Sequence, residues 1–208
     1  PVWTGNVDAA GTPILADING DGNLVAGHGS ALAEDADFRV LGTGLPDATI
    51  GWTNQASIGK WDVNVFLRAV VGHSLVNSFR AFYEPIIGSQ ASYNFVNTPN
   101  ANPTIKTAQF SDYYVEKADF LRLDNMSIGY NFDLKETSYI KGLRLSLAGQ
   151  NLFTITGYDG VNPDPVPTDG GDLSDLRAGA PNPLLPGIER REAYFTATTI
   201  TVGLNVNF

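Results

Sequence analysis

The residues best placed to do chemistry in this 208-residue chain are Asp17-Ile-Asn-Gly-Asp-Gly-Asn23. Side-chain oxygens recur at positions 17, 19, 21 and 23, and Gly22 allows a sharp turn. That spacing is the first half of an EF-hand-type calcium loop, in which hard oxygen donors at alternate positions wrap one cation. The second half departs from it. The twelfth position is His28 rather than a bidentate Glu, and Glu34, Asp35 and Asp37 are the carboxylates available from further on. Asp17, Asn19, Asp21 and Asn23 are the candidate Ca2+ ligands, and the competing reading is an Asx-rich turn. Other chemistry is sparse. His28 and His73 are the only histidines and lack HExxH spacing; no P-loop, GxSxG or dinucleotide fingerprint occurs. Asp169, Asp172 and Asp175 stand in a Pro-, Gly- and Asp-rich stretch where solvation accounts for them. Arg190-Arg191-Glu192 reads as pairing between neighbouring loops. The chain is not expected to be an enzyme.

Composition narrows the class. A net charge of -9 without a basic cluster argues against nucleic acid as a partner. The absence of Cys removes disulfides, thiolate nucleophiles and Cys-based zinc sites. The 22 Gly, 12 Pro and many Asn, Asp and Thr favour turns and strands over long helices. No apolar run is long enough for a transmembrane helix. Mean hydropathy is -0.08, which is what strict alternation of apolar and polar residues produces.

The elements that must carry any site are strands. In the last one, about 195–208, Ile200, Val202, Leu204, Val206 and Phe208 fall on one face and Thr199, Thr201, Gly203, Asn205 and Asn207 on the other. Alternation also marks 47–58 and 60–72, joined tightly at Gly59-Lys60, then 118–132 and 142–153. In the 118–132 strand Met126, Ile128, Tyr130 and Phe132 share a face, whereas Leu121 and Leu123 have the other parity. Either a bulge near Asp124-Asn125 restores the phase or the two leucines face inward.

The connections alternate in length: 1–46 long, 59–60 short, 73–117 long with a short helix expected around 75–84, 133–141 short, 154–192 long. Bacterial outer-membrane barrels have this rhythm, with short periplasmic turns and long outer loops. Aromatics fit girdles at both interfaces, with Trp61, Tyr130, Phe132 and Phe208 at the short-turn ends and Phe120, Phe153, Tyr194 and Phe195 at the other. We therefore expect an all-β chain forming part of a large antiparallel transmembrane barrel. Five strands would leave open edges that lipid does not tolerate, so the remaining strands are expected upstream. Residues 1–46 are expected to be an extracellular loop and 47–208 barrel strands with their loops. Arg68, Arg144 and Gln150 are the lumen-facing candidates. The competing architecture is a soluble, calcium-stabilised β-sandwich that binds glycans. A complete small barrel would need at least three more strands than are found.

Several stretches together resemble the end of SusC/RagA-type TonB-dependent transporters. Ala118-Asp-Phe-Leu-Arg-Leu-Asp-Asn-Met-Ser-Ile-Gly-Tyr130 is similar to that family's "YLRLKNLTLGY" stretch. Leu143-Arg-Leu-Ser-Leu-Ala-Gly-Gln-Asn-Leu-Phe153 is similar to its "LRVYVSGQNLFT" strand, and Gly157-Tyr-Asp-Gly-Val-Asn-Pro-Asp164 to the "YKGYDPE" segment that follows. Thr199–Phe208 resembles the "FTFGLNLTF" ending, and Asp17–Asn23 followed by Leu41-Gly42 resembles the "DLNGDGKI…LG" loop. The resemblance covers nearly the whole chain in the right order. It implies a 22-stranded barrel with a plugged lumen in the outer membrane of a Bacteroidetes-type Gram-negative bacterium. It also implies import of oligosaccharides or peptides, energised by the TonB complex, with a SusD-like surface lipoprotein as partner. The plug and TonB box of that family have no counterpart in these residues.

Overall fold

The computed structural model describes residues 1–25, 37–85, 96–134, 139–165, 186–190 and 195–208. His28, Glu34, Asp35, Asp169, Asp172, Asp175, Arg191, Glu192 and Tyr194 lie outside them. The chain divides into two compact units.

One unit (46–72, 119–157, 195–208) holds the long strands. Among the described residues they form one five-stranded antiparallel sheet. In chain order they are β3 (Ala48–Ile58), β4 (Trp61–Val71), β7 (Phe120–Phe132), β8 (Gly142–Thr156) and β10 (Thr199–Asn207). The sheet runs β10-β8-β7-β4-β3, and each neighbouring pair is antiparallel. Strand lengths of 9 to 15 residues meet the roughly 9–11 that a tilted strand needs to cross a bilayer. The β3–β4 hairpin turns on two residues. Gly59 sits first with φ 62°, which is where a primed two-residue turn needs a residue free of Cβ.

The bulge is present, and it settles the parity of the leucines. Phe66 and Leu67 of β4 face Asn125 and Leu123 of β7, so Asp124 is the extra residue. On the other side Leu123 pairs with Phe153 and Asn125 with Gln150, leaving Asn151 and Leu152 opposite Asp124. Asn151 takes φ 51°, a left-handed conformation that Asn tolerates. Beyond the bulge Leu121 and Leu123 rejoin the face of Met126 and Ile128. The same phase change corrects one aromatic assignment. Phe120 is not on the apolar face but buried on the polar one, with the guanidiniums of Arg68 and Arg122 5.3 and 4.9 Å from its ring centre.

The other unit (1–45, 73–118, 158–194) was expected to be loop, and it carries short elements instead. β1 (Trp3–Val7) and β2 (Pro13–Leu15) pair as a hairpin within the 1–46 segment. β5 (Ser74–Asn77) pairs antiparallel with β6 (Val115–Lys117) and parallel with β9 (Ile188–Glu189). Strands of two to five residues are too short to show alternation, so the sequence pattern misses them. The expected short helix is α1 (Ser78–Tyr83), N-capped by the Asn77 side chain, which accepts from the Arg80 amide at 3.0 Å.

Candidate functional site

The five-stranded sheet has two chemically opposed faces. On the apolar face, register rows run across strands: Leu204, Leu145, Tyr130 and Trp61, then Val202, Leu147, Ile128 and Val63. These side chains are not covered. Ile200, Val202 and Leu204 are 67%, 70% and 66% exposed, and Trp52, Ile58, Leu147 and Phe153 are exposed as well. A sandwich would bury this face against a second sheet. Its exposure across five strands is unlike a sandwich interior and is what a lipid-facing wall requires. At the short-turn end Trp61 packs tilted on Tyr130 and Tyr130 packs edge-on to Phe132, with successive ring centres 4.7 Å apart.

The polar face gathers the three residues picked from sequence. Arg68 is level with Gly51 and Arg122, Arg144 with Asn131 and Asn205, and Gln150 with Asn125 and Thr199. Arg68 Nε donates to Asp124 Oδ2 at 2.7 Å, so the bulge residue supplies its counter-charge. Arg122 Nε donates to Thr154 Oγ1 at 3.0 Å. Arg144 lies on β8 but reaches over β7 to Asp62 of β4, with Nη2 to Oδ2 at 2.5 Å. Gly129 makes that reach possible, because a Cβ there would stand 2.5 Å from the Arg144 guanidinium. Sequence reasoning did not name the partners Asp124, Arg122 and Asp62: the first was seen only as a bulge, Arg122 lay beyond the phase change, and Asp62 showed its face but not its pairing.

The Asp17–Asn23 loop folds on its own amides. Asp17 accepts from Gly20 N at 2.6 Å and Gly22 N at 2.8 Å, Asn19 Oδ1 from Asp21 N at 3.0 Å, and Asp21 from Asn23 N at 2.6 Å. Asp37 arrives from further along and accepts from Ile18 N at 2.7 Å and Val25 N at 2.8 Å. The Val25 and Ile18 amides hold its carboxyl below the ordinary Asp range. The donors are hard oxygens, as calcium prefers, and carboxylates keep lone pairs beyond the amides they accept. Yet no group of three or more His, Cys, Asp or Glu converges as a metal site among the described residues.

A buried polar cluster holds the other unit together. Arg80 Nε donates to Glu84 at 2.5 Å, Arg80 Nη1 donates to Glu116, and Asn77 Nδ2 donates to Glu116 at 3.3 Å. Tyr113 and Tyr114 flank the guanidinium. Glu189, fully buried, accepts from Tyr158 Oη at 2.7 Å, Val161 N at 3.1 Å and Asn162 N. Burial pushes the Glu189 carboxyl above its ordinary value, and the charge of Glu116 adds to this. The Tyr158, Asn162 and Val161 hydrogen bonds pull the other way. A raised folded-state pKa favours the protonated form, so this contribution to stability is present below the ordinary Glu value and is lost as pH rises through the raised one. Glu189→Gln is expected to abolish that pH dependence, read as thermal midpoints of the two proteins between about pH 4 and pH 7.

No family model matches the chain. TonB-dependent receptor P3 of Formosa agariphila is 28% identical over 99% of the chain. TonB-dependent receptor SusC of Bacteroides thetaiotaomicron is 27% identical over 76% of it. A structure of the RagAB peptide transporter superposes with TM-score 0.61 at 23% identity, covering 82% of the chain and 18% of its counterpart. The RagAB peptide importer in its closed-closed state covers the whole chain with TM-score 0.59 at 21% identity. The chain is similar in sequence to TonB-dependent receptors, SusC among them, over most of its length. It spans about one fifth of the length of these relatives, 20% of P3 and 16% of SusC. The strands described above have the fold of the RagAB structures. These relatives carry receptor and transporter names.

Proposed function

We propose that this chain is part of the barrel wall of an outer-membrane importer, a TonB-dependent transporter of oligosaccharides or peptides. The apolar face meets outer-membrane lipid. The polar face, with Arg68, Arg144 and Gln150, lines the lumen. The loop-bearing unit contributes to the outer mouth, where a SusD-like lipoprotein docks, and the TonB complex acts through parts of the protein outside these residues. One observation carries the reading: five consecutive antiparallel strands keep an uncovered apolar face and a polar face in register, through a bulge that would otherwise break it. Soluble proteins seldom leave so large an apolar surface bare, whereas a barrel wall needs it. The SusC/RagA-type relationship supports the direction of transport, and the length of the relatives supports a much larger native polypeptide.

The test is the native protein in its membrane. Detergent-extracted outer membranes, run on a denaturing gel with and without boiling, are expected to show a band about five times the mass of this chain that shifts on heating. A band at the 22.3 kDa of the chain itself, soluble without detergent, would overturn the reading.

We also propose that calcium stabilises the Asp17–Asn23 loop, on the strength of its oxygen spacing and the arrival of Asp37 beside it. Chelation is expected to lower the thermal midpoint, and an Asp17→Asn, Asp21→Asn double variant is expected to lose that response. An unchanged midpoint on chelation would leave the amide-locked turn as the whole account.

A further inference from the structure

A cup of about 260 Å3 lies in the loop-bearing unit, over the small sheet of β5, β6 and β9. Its floor is one register row across the three strands: Val115 of β6, Val76 of β5 and Ile188 of β9. All three are half-buried, so this aliphatic row stays open to a ligand. Segment 39–44 forms a wall beside it, and main chain holds that wall in place. Ser74 N donates to Thr43 O at 2.8 Å, and Val76 N donates to Gly187 O at 2.7 Å. A Cβ on Gly44 would stand 2.4 Å from Pro186 and Gly187 backbone atoms, so only glycine lets the two chains meet there. Arg39 is exposed at the rim. Among the described residues it is the one charged group lining the cup, and it has no ion pair.

We propose that this cup binds the C-terminal residue of an aliphatic peptide, with its carboxylate on Arg39 and its side chain on the Val115, Val76 and Ile188 row. The proposal rests on the importer reading above and selects the peptide branch of it. Charge asks for a single anion, because one guanidinium without a counter-charge is suited to a bidentate pair with a carboxylate. The floor asks for a branched apolar body, which gains by leaving water. A C-terminal residue carries both on one carbon. A uronic-acid sugar meets the first requirement and fails the second, since its hydroxyls would lose water against the aliphatic row. Ser74 and Thr43 bring the side-chain hydroxyls of the cup, and Thr43 Oγ1 already accepts from Leu45 N at 3.1 Å. Size agrees. The cup is smaller than the roughly 300 Å3 at which ligand pockets begin, which suits one residue rather than a length of chain. The main-chain clamps keep its walls in place before a ligand arrives, so binding orders little.

The experiment uses the full-length protein in detergent micelles and the tripeptide probe Gly-Gly-photoleucine, whose diazirine sits in the leucine side chain. Irradiation is expected to crosslink it to fragments containing 39–44, Val115 or Ile188, identified by mass spectrometry. Capping the probe's carboxylate as an amide is expected to lower the yield about tenfold, and Arg39→Gln to lower it as much. The two changes together are expected to lower it no further, because both remove the same pair. Equal yields for acid and amide, an acid preference that survives Arg39→Gln, or labels confined to other segments would each overturn the proposal. Displacement of the probe by glucuronic acid as readily as by Gly-Gly-Leu would overturn the choice of a peptide. The heat-shifting band of the same preparation keeps this test apart from the importer reading. With the shift present, failed labelling refutes the cup alone. Without it the importer reading fails whatever the labelling shows, and the labelling still decides the cup.

Discussion

Val202→Arg is expected to destabilise the assembled barrel by about 2–4 kcal/mol, while Thr201→Arg, one residue away, is tolerated. Val202 is near the middle of β10, level with Leu147 and Ile128 on the apolar face. A guanidinium there enters hydrocarbon at the depth where it costs most, with no partner in its row. Thr201 pairs with Ala148 on the polar face, where a long cation has solvent and amides within reach. The measurement is equilibrium unfolding of the full-length protein in lipid, supported by the amount of heat-shifting band in the outer membrane. Equal costs for the two arginines would mean that both faces see the same medium, and the lipid assignment would be wrong.

Arg80→Met is expected to cost about 3–5 kcal/mol, because it strands two carboxylates in a buried place. The Arg80 and Glu84 side chains are 4% and 3% exposed, and Glu116 is close to buried. Removing the cation leaves Glu84 with the Thr98 hydroxyl and Glu116 with the Asn77 and Asp159 N–H groups but neither with a counter-charge, so the loss exceeds the worth of any single hydrogen bond. Arg80→Met combined with Glu84→Gln should recover part of the loss, which separates charge stranding from simple loss of packing. Limited proteolysis of the full-length protein reads the change as faster cutting in the 73–118 region. A single variant as resistant as the parent would show that the cluster does not hold this unit together.

How much of this could be read from the chain depends on the range of the forces involved. The five long strands were legible because their side chains alternate over nine or more residues. The bulge was legible because Leu121 and Leu123 were out of phase with Met126. A short helix was expected around 75–84, and the cap that starts it, Asn77, emerges only from the structure. The small sheet of β5, β6 and β9 was not, since Val76 finds Ile188 more than a hundred residues away and neither segment is long enough to declare itself. Arg80 and Glu84 look in sequence like a surface pair one helical turn apart. Nothing local says that Glu116 joins them or that Tyr113 and Tyr114 close over the guanidinium. Asp62 and Arg144 are legible as polar-face residues, but their meeting depends on Gly129 standing between them, which only the register reveals.

The extra residues at the bulge are graded: none in β4, one in β7 and two in β8 at the same level. Each strand is thus slightly longer than the last along one margin, like the staves of a tapered cask. A sheet with such a gradient cannot lie flat and curls toward the side with less material. The curvature of this wall is therefore written as a count of residues, and removing Asp124 would take one step out of that gradient while leaving Leu123 opposite Leu67 on the outer surface.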